Sequence, residues 1–236
     1  MIDVRDGDRI RTITLDRPAA RNALTVSALE GLADAITDAS TPVIVIDGAK
    51  SSFCAGADLE TVAGLDDRGA RDFARLGQRV TRTIEDSPSV VVASIDGPAR
   101  GGGVEIALAC DLRVGTPEAT LGQPGITFGL FGAWGGTVRL PRIVGDGTAL
   151  DFSLSGRVVD ADEALRMGLL SRIEPDPHAV ARTIADYPQD TLEILSERIR
   201  DDRTRAVQER AEVAAFSRLV DTHADDVTDL LGSGTE

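Results

Sequence analysis

Two uninterrupted apolar runs constrain this chain more than any other feature. Pro42-Val-Ile-Val-Ile-Asp47 and Val90-Val-Val-Ala-Ser-Ile95 lack the polar alternation of a half-exposed strand. A strand built from either run must be covered on both faces, which is the condition of a parallel sheet between helical layers. The intervening segments have the matching periodicity. In TVSALEGLADAITDAS, Leu29, Leu32, Ala33 and Ile36 recur at helical spacing behind Thr25, a good N-cap. A second helix is predicted from about Arg68 to Glu85, and an earlier strand over Arg9–Asp16, where Ile10, Ile13 and Leu15 are apolar. Strands alternating with amphipathic helices place the chain in the α/β class.

Beyond Gly101 the pattern predicts a short helix over Val104–Ala109, a strand near Asp111–Val114 and a glycine-rich stretch to Gly136. From Thr148 onward it is mainly helical, closing on a charged amphipathic segment over Arg203–Leu231. The expected organisation is an α/β core over residues 1–142 and a helical C-terminal region over 143–236 within the same fold unit. Val207, Ala211, Ala214, Phe216, Leu219 and Val220 of that region require a covering surface, either the core or another subunit.

Composition excludes several function classes. Among 236 residues there are 39 acids against 25 bases, a formal net charge of −14, and Lys50 is the sole lysine. Such a field opposes non-specific nucleic-acid binding. No run approaches the ~18 apolar residues of a membrane span, and the opening MIDVRDGDRI lacks a signal peptide's basic-then-apolar order. A cytoplasmic protein without membrane or nucleic-acid partners is expected. With aromatics at 3%, the core must be built from Ala, Val, Leu and Ile. Cys54 and Cys110 fit neither a disulfide framework nor a metal-site spacing. Cys54, without a histidine near it in sequence, reads as a small buried hydrophobe. His178 and His223 have no metal-ligand neighbours in sequence and read as surface residues. The Gly101-Gly-Gly103 run lacks the lysine of a phosphate-binding loop.

Four segments, in order and at matching spacing over most of the chain, carry a resemblance. They are Asp16-Arg-Pro-Ala-Ala-Arg-Asn-Ala-Leu24; Ser52-Phe-Cys-Ala-Gly-Ala-Asp-Leu59; Asp96-Gly-Pro-Ala-Arg-Gly-Gly-Gly-Val-Glu105 with Cys110-Asp-Leu-Arg-Val114; and Gly135-Gly-Thr-Val-Arg-Leu-Pro-Arg142 with Leu154-Ser-Gly-Arg157. Together they resemble the crotonase (enoyl-CoA hydratase/isomerase) superfamily. The resemblance implies a ββα spiral core with a helical C-terminal region, assembled as a homotrimer or a dimer of trimers. It implies an acyl-CoA thioester as substrate and a place in fatty acid metabolism, with coenzyme A as part of the substrate and neither metal nor other cofactor.

The same resemblance assigns the backbone amides of Ala57 and Gly102 to an oxyanion hole and the carboxyl group of Glu105 to acid–base catalysis. Residue spacing agrees with this, since Glu105 follows Gly102 by three positions and shares a helix face with it. Contacts to substrate or coenzyme A are implied at Arg21, Ala23, Ala55, Asp58, Leu59, Gly101, Gly125 and Trp134. Arg100 would either reach an anionic group of the substrate or point into solvent. Trp134 would either narrow the acyl pocket or pack at a subunit contact.

One departure bears on the reaction. Where two-carboxylate hydratases carry glutamate after Gln-Pro, this chain reads Gly-Gln-Pro-Gly125. Hydration needs both an activated water and a delivered proton, and a positioned acid or base is worth about 10²–10⁴ in rate. Asp58, Asp111 and Glu118 are the substitutes within reach by sequence, each a poor one. Three readings stay open: hydratase/isomerase chemistry with an altered proton arrangement, a single-carboxylate isomerase or other enolate reaction, and an acyl-CoA-binding protein with little or no turnover.

Overall fold

The two apolar runs form the middle of a sheet. The computed structural model describes residues 1–225 and Thr228. The chain opens with β1 (Ile2–Asp6) and β2 (Ile10–Leu15), then α1 (Val26–Thr37) and β3 (Val43–Gly48). Next come α2 (Leu59–Ala63), α3 (Asp67–Glu85), β4 (Val90–Ile95), β5 (Pro98–Arg100) and α4 (Gly102–Ala109). They are followed by β6 (Leu112–Gly115), β7 (Thr120–Gly122), a 3-10 turn over Pro124–Phe128, α5 (Gly136–Val144) and α6 (Asp146–Ser155). Then β8 (Val158–Asp160), α7 (Ala161–Arg166), β9 (Arg172–Ile173) and α8 (Pro177–Ala185) precede α9 (Gln189–Arg200) and α10 (Arg205–Thr222).

The larger sheet runs β1-β2-β3-β4-β6-β9. Every pair from β2 to β9 is parallel, and only β1 folds back antiparallel on β2. Every residue of β4 is buried, as are Val43–Ile46 of β3, as uninterrupted apolar strands require. Thr25 caps α1 by accepting the Ala28 N–H at 3.3 Å. On α3, Phe73, Leu76, Val80 and Ile84 recur every three or four residues and are buried, and this helix packs on α1 and α4.

Three short strands inside the glycine-rich and C-terminal stretches escape a periodicity reading. β5, β7 and β8 form a separate three-stranded sheet in the order β5-β7-β8. Three-residue strands are too short to show alternation, and their partners are distant in sequence. After Thr148 the described chain is mainly helical, as expected, with the short strands β8 and β9 each joining a sheet.

The chain divides into two compact units after Asp186 rather than after Arg142. α5 packs on α4 and on α6, while β8 completes the small sheet, so residues 143–186 belong with the α/β unit. The second unit, from Tyr187, pairs α9 with α10. The amphipathic segment predicted to Leu231 is helical to Thr222; positions 226, 227 and 229–231 lie outside the described residues. Among the described residues no helix is long and apolar enough to cross a membrane.

Candidate active site

α4 is the helix around which the site is built. All eight of its residues are buried, and Glu105 is the one charged group among them. A carboxyl group in such a place requires either partners or a task.

Two segments meet at the start of α4. The loop after β3 bridges to β5: Phe53 N–H donates to Pro98 O at 3.1 Å and Arg100 N–H to Cys54 O at 2.8 Å. Gly56 has φ +92°, and a Cβ placed there would lie 2.6 Å from Arg100 O and 2.9 Å from Gly102 N. Glycine is therefore what lets the two segments touch. On the other side, Leu24 N–H donates to Gly56 O at 2.8 Å and Asp58 N–H to Leu24 O at 3.0 Å. Successive amides of an extended segment face opposite ways, so the N–H of Ala57 is turned away from Leu24. The N–H of Gly102 belongs to the first turn of α4, where no earlier helical carbonyl exists to accept it. Among the described residues neither amide donates to a protein acceptor. Both residues line a cavity of about 200 Å³.

The same cavity is lined by Glu105, three residues on from Gly102 in α4. Its Oε1 accepts from Trp134 N–H at 2.8 Å and Gly136 N–H at 2.7 Å. Burial nonetheless raises the carboxyl pKa to about 7, with the Gly136 and Trp134 amides and the positive charge of Arg139 opposing the rise. At that value both protonation states are populated near neutrality, the condition for a group that must take and return one proton.

The loop carrying those amides is held by α3. Thr81 Oγ1 donates to Trp134 O at 2.7 Å and Gln78 Nε2 to Ala133 O at 2.9 Å. Arg139 donates to Trp134 O at 3.3 Å and pairs with Glu85. The Trp134 ring is 3% exposed and edge-on to Phe73 at 5.6 Å. A Cβ at Gly77 would sit 2.1 Å from that ring and one at Gly102 2.3 Å. The indole is thus received between two glycines of α3 and α4, inside its own subunit. An isolated glycine within the helical pattern of α3 was the available signal for this packing, and it was not used.

Of the residues implied by sequence, Ala55, Ala57, Leu59, Gly101, Gly102, Glu105, Gly125 and Trp134 line this cavity. Arg21, Ala23 and Asp58 do not. Arg21 is exposed in a left-handed turn at φ 51°, and its carbonyl accepts from Ala55 N–H at 2.9 Å. Ala23 is buried beneath that turn. The Asp58 carboxylate pairs with Arg17 and caps α2 by accepting from Thr61 N–H at 2.8 Å. The Arg17 guanidinium, followed by the Thr61 donors, lowers its pKa to about 2. Asn22, which the sequence reading left without a role, staples the turn. Its amide donates to Ala49 O at 2.9 Å and Ser52 O at 2.7 Å, and its oxygen accepts from Arg17 N–H at 3.0 Å.

Among the described residues, none of Asp58, Asp111 and Glu118 lines the cavity with Glu105. Asp111 accepts from Val91 N–H at 2.8 Å, and Glu118 stands in an exposed turn. Arg100 takes neither of its expected courses. It folds back to donate to Ala99 O at 2.9 Å and Thr120 O at 2.7 Å. Burial pushes the Cys54 thiol up to about 12, consistent with an inert packing residue. The histidines are less free than sequence suggested: His178 faces Asp47 at 3.2 Å and His223 faces Asp190 at 3.1 Å.

Comparison with known proteins gives the family. The family described as enoyl-CoA hydratase/isomerase matches residues 5–224. The chain belongs to the enoyl-CoA hydratase/isomerase family. Crotonyl-CoA hydratase of Syntrophomonas wolfei is 39% identical over 171 residues, covering 70% of this chain and 66% of the relative, just under two thirds of its length. The enoyl-CoA hydratase of Thermoplasma volcanium superposes with a TM-score of 0.90 at 30% identity, covering 100% of this chain and 97% of the other. A Thermobifida fusca structure in complex with acetoacetyl-CoA superposes at 0.84 and 26% identity, over 93% and 95% of the two chains. The fold is therefore the crotonase-type α/β fold of these enzymes.

Proposed function

We propose that this chain binds an acyl-CoA thioester in the cavity beside Glu105 and moves a proton on it through an enolate. One observation carries the proposal: Ala57, Gly102 and Glu105 line one cavity, and among the described residues no other Asp or Glu does so. The thioester oxygen sits between the two amides. When a proton leaves the α-carbon, the electron pair moves onto that oxygen, and the N–H donors and the start of α4 stabilise it. Removing one such donor raises a barrier by about 2.7–4 kcal/mol in related chemistry.

Glu105 is the proton carrier. As carboxylate it removes the α-proton of a 3-enoyl thioester, giving a dienolate. As carboxylic acid it returns that proton to the γ-carbon, giving the 2-enoyl product and restoring the carboxylate. Atoms and charge balance without water, so Gly125 is no obstacle. Hydration would need a second group to activate water, and among the described residues none but Glu105 brings a carboxyl group to this cavity. Arg21, exposed and joined to Ala55 through its carbonyl, is the residue proposed to meet an anionic part of coenzyme A. A homotrimer, or a dimer of trimers, is supported by the exposed apolar side chains Val213, Phe216 and Val220 on α10, and a light-scattering mass three or six times that of the chain is its test.

The catalytic test measures 3-enoyl-CoA isomerisation and 2-enoyl-CoA hydration on the same preparation. Isomerisation should dominate and fall about 10²–10⁴-fold in Glu105→Gln. Rapid hydration that depends on Glu105 would overturn the single-carboxylate reading. Binding of acyl-CoA without either reaction would reduce the chain to a binding protein.

A further inference from the structure

A second cavity lies directly behind the first. It has a volume of about 410 Å³, roughly twice that of the reaction cavity, and its walls are largely apolar, with Ile126, Leu140, Ala149 and Leu154 among them. Gln123, Leu130, Phe131 and Gly132 line both cavities. The Glu105 carboxyl group lies at this partition. A Cβ on Gly132 would sit 2.6 Å from its Cδ and one on Gly136 2.9 Å from its Oε1, and both glycines also line the second cavity.

Consider a thioester with its oxygen at Ala57 and Gly102 and its α-carbon at Glu105. The rest of the acyl chain must continue past Glu105. The route between α3 and α4 is closed, because the buried Trp134 ring fills it against Gly77 and Phe73. The reaction cavity itself, at about 200 Å³, leaves room for a short chain only. What lies past Glu105 is the Gly132 backbone and then the second cavity. The partition is lightly built there, since Gly132 has no side chain and Phe131 is 71% exposed.

We infer that the second cavity receives the acyl tail, and that the chain selects medium-length acyl-CoA thioesters over four-carbon ones. This rests on the acyl-CoA reading above. It differs from what the name of the 39%-identical crotonyl-CoA hydratase would suggest for chain length.

The test is equilibrium binding of saturated acyl-CoAs, which bind without reacting, to the full chain by titration calorimetry. Butanoyl-, octanoyl-, decanoyl- and dodecanoyl-CoA are compared. A fully buried methylene gives about fourfold in affinity, so decanoyl-CoA should bind on the order of a hundredfold or more tighter than butanoyl-CoA. Leu154 lines the second cavity yet is 67% exposed, so Leu154→Asp places a charge on the cavity wall without disturbing the core. It should shrink the decanoyl-to-butanoyl ratio by about tenfold or more. Equal affinities across the series in the unmodified chain would overturn the inference while leaving the acyl-CoA reading standing; this result is also expected if a second copy of the chain fills the cavity. An unchanged ratio in Leu154→Asp would overturn the placement of the tail. No binding of any acyl-CoA would overturn the acyl-CoA reading and the inference with it.

Discussion

Replacing Glu105 by glutamine should make the protein more stable, and increasingly so as pH rises. The carboxyl group is 2% exposed on a helix buried on every side. Its pKa rises from 4.5 to about 7, so the folded chain holds this proton more tightly than the unfolded chain does. Stability from this group is therefore complete below about pH 4.5 and is lost as pH climbs to about 7. At about 1.4 kcal/mol per pH unit, the loss reaches about 3 kcal/mol. The glutamine carboxamide oxygen still accepts from Trp134 and Gly136 but does not ionise. The difference between variant and parent should thus widen by about 2–3 kcal/mol between pH 4.5 and 8. For a domain of this size that is about 5–10 °C in Tm. Trp134 is the sole tryptophan and touches the site, so its fluorescence reports unfolding of the unit that contains Glu105. Melting both proteins across this range decides the matter. Curves that stay parallel would mean that Glu105 titrates as an ordinary surface glutamate, and the desolvation argument would fail.

Three further outcomes follow from the same contacts. Gly77→Ala drives a methyl group to within 2.1 Å of the Trp134 ring, so stability should drop by about 1–3 kcal/mol with a shift in Trp134 emission; a neutral substitution would show that the ring is not lodged there. At Gly125 an added Cβ meets Leu130 O at 2.9 Å. Both Gly125→Ala and Gly125→Glu should lose about 1–3 kcal/mol in urea titration, while only the glutamate variant gains hydration of 2-enoyl-CoA; an equal gain in both would remove the carboxylate from the explanation. Cys54, with its thiol pushed up to about 12 and fully buried, should resist iodoacetamide at pH 8 in the folded chain and react in urea. Rapid labelling without denaturant would refute its inert role.

Much of the site was legible before any coordinates. Ala57, Gly102 and Glu105 came from the family resemblance of their segments, and the glycines beside them permit the close backbone approach that such a site needs. The structure puts them around one cavity. Asp58 shows the limit of that reading. It adjoins Ala57 in sequence, but the alternation of an extended segment turns its carboxylate to Arg17 and the Thr61 N–H of α2. Arg100 likewise was read as free to face substrate or solvent, whereas the carbonyls of Ala99 and Thr120 claim it.

Sequence alone carried the parallel α/β architecture, because apolar runs and helical periodicity are local patterns, whereas the roles of Ala57 and Gly102 came only from the resemblance. The sequence also showed that Gly125 lacks a carboxylate. Only the tertiary structure decided what surrounds Glu105. Its two amide donors come from residues 134 and 136, some thirty positions away, and the loop bearing them is fixed by Thr81 and Gln78 of a helix more than fifty positions before that loop. Desolvation is a property of everything packed around a group. No local pattern encodes it, and it is what turns an acid in a first helical turn into one that titrates near neutrality.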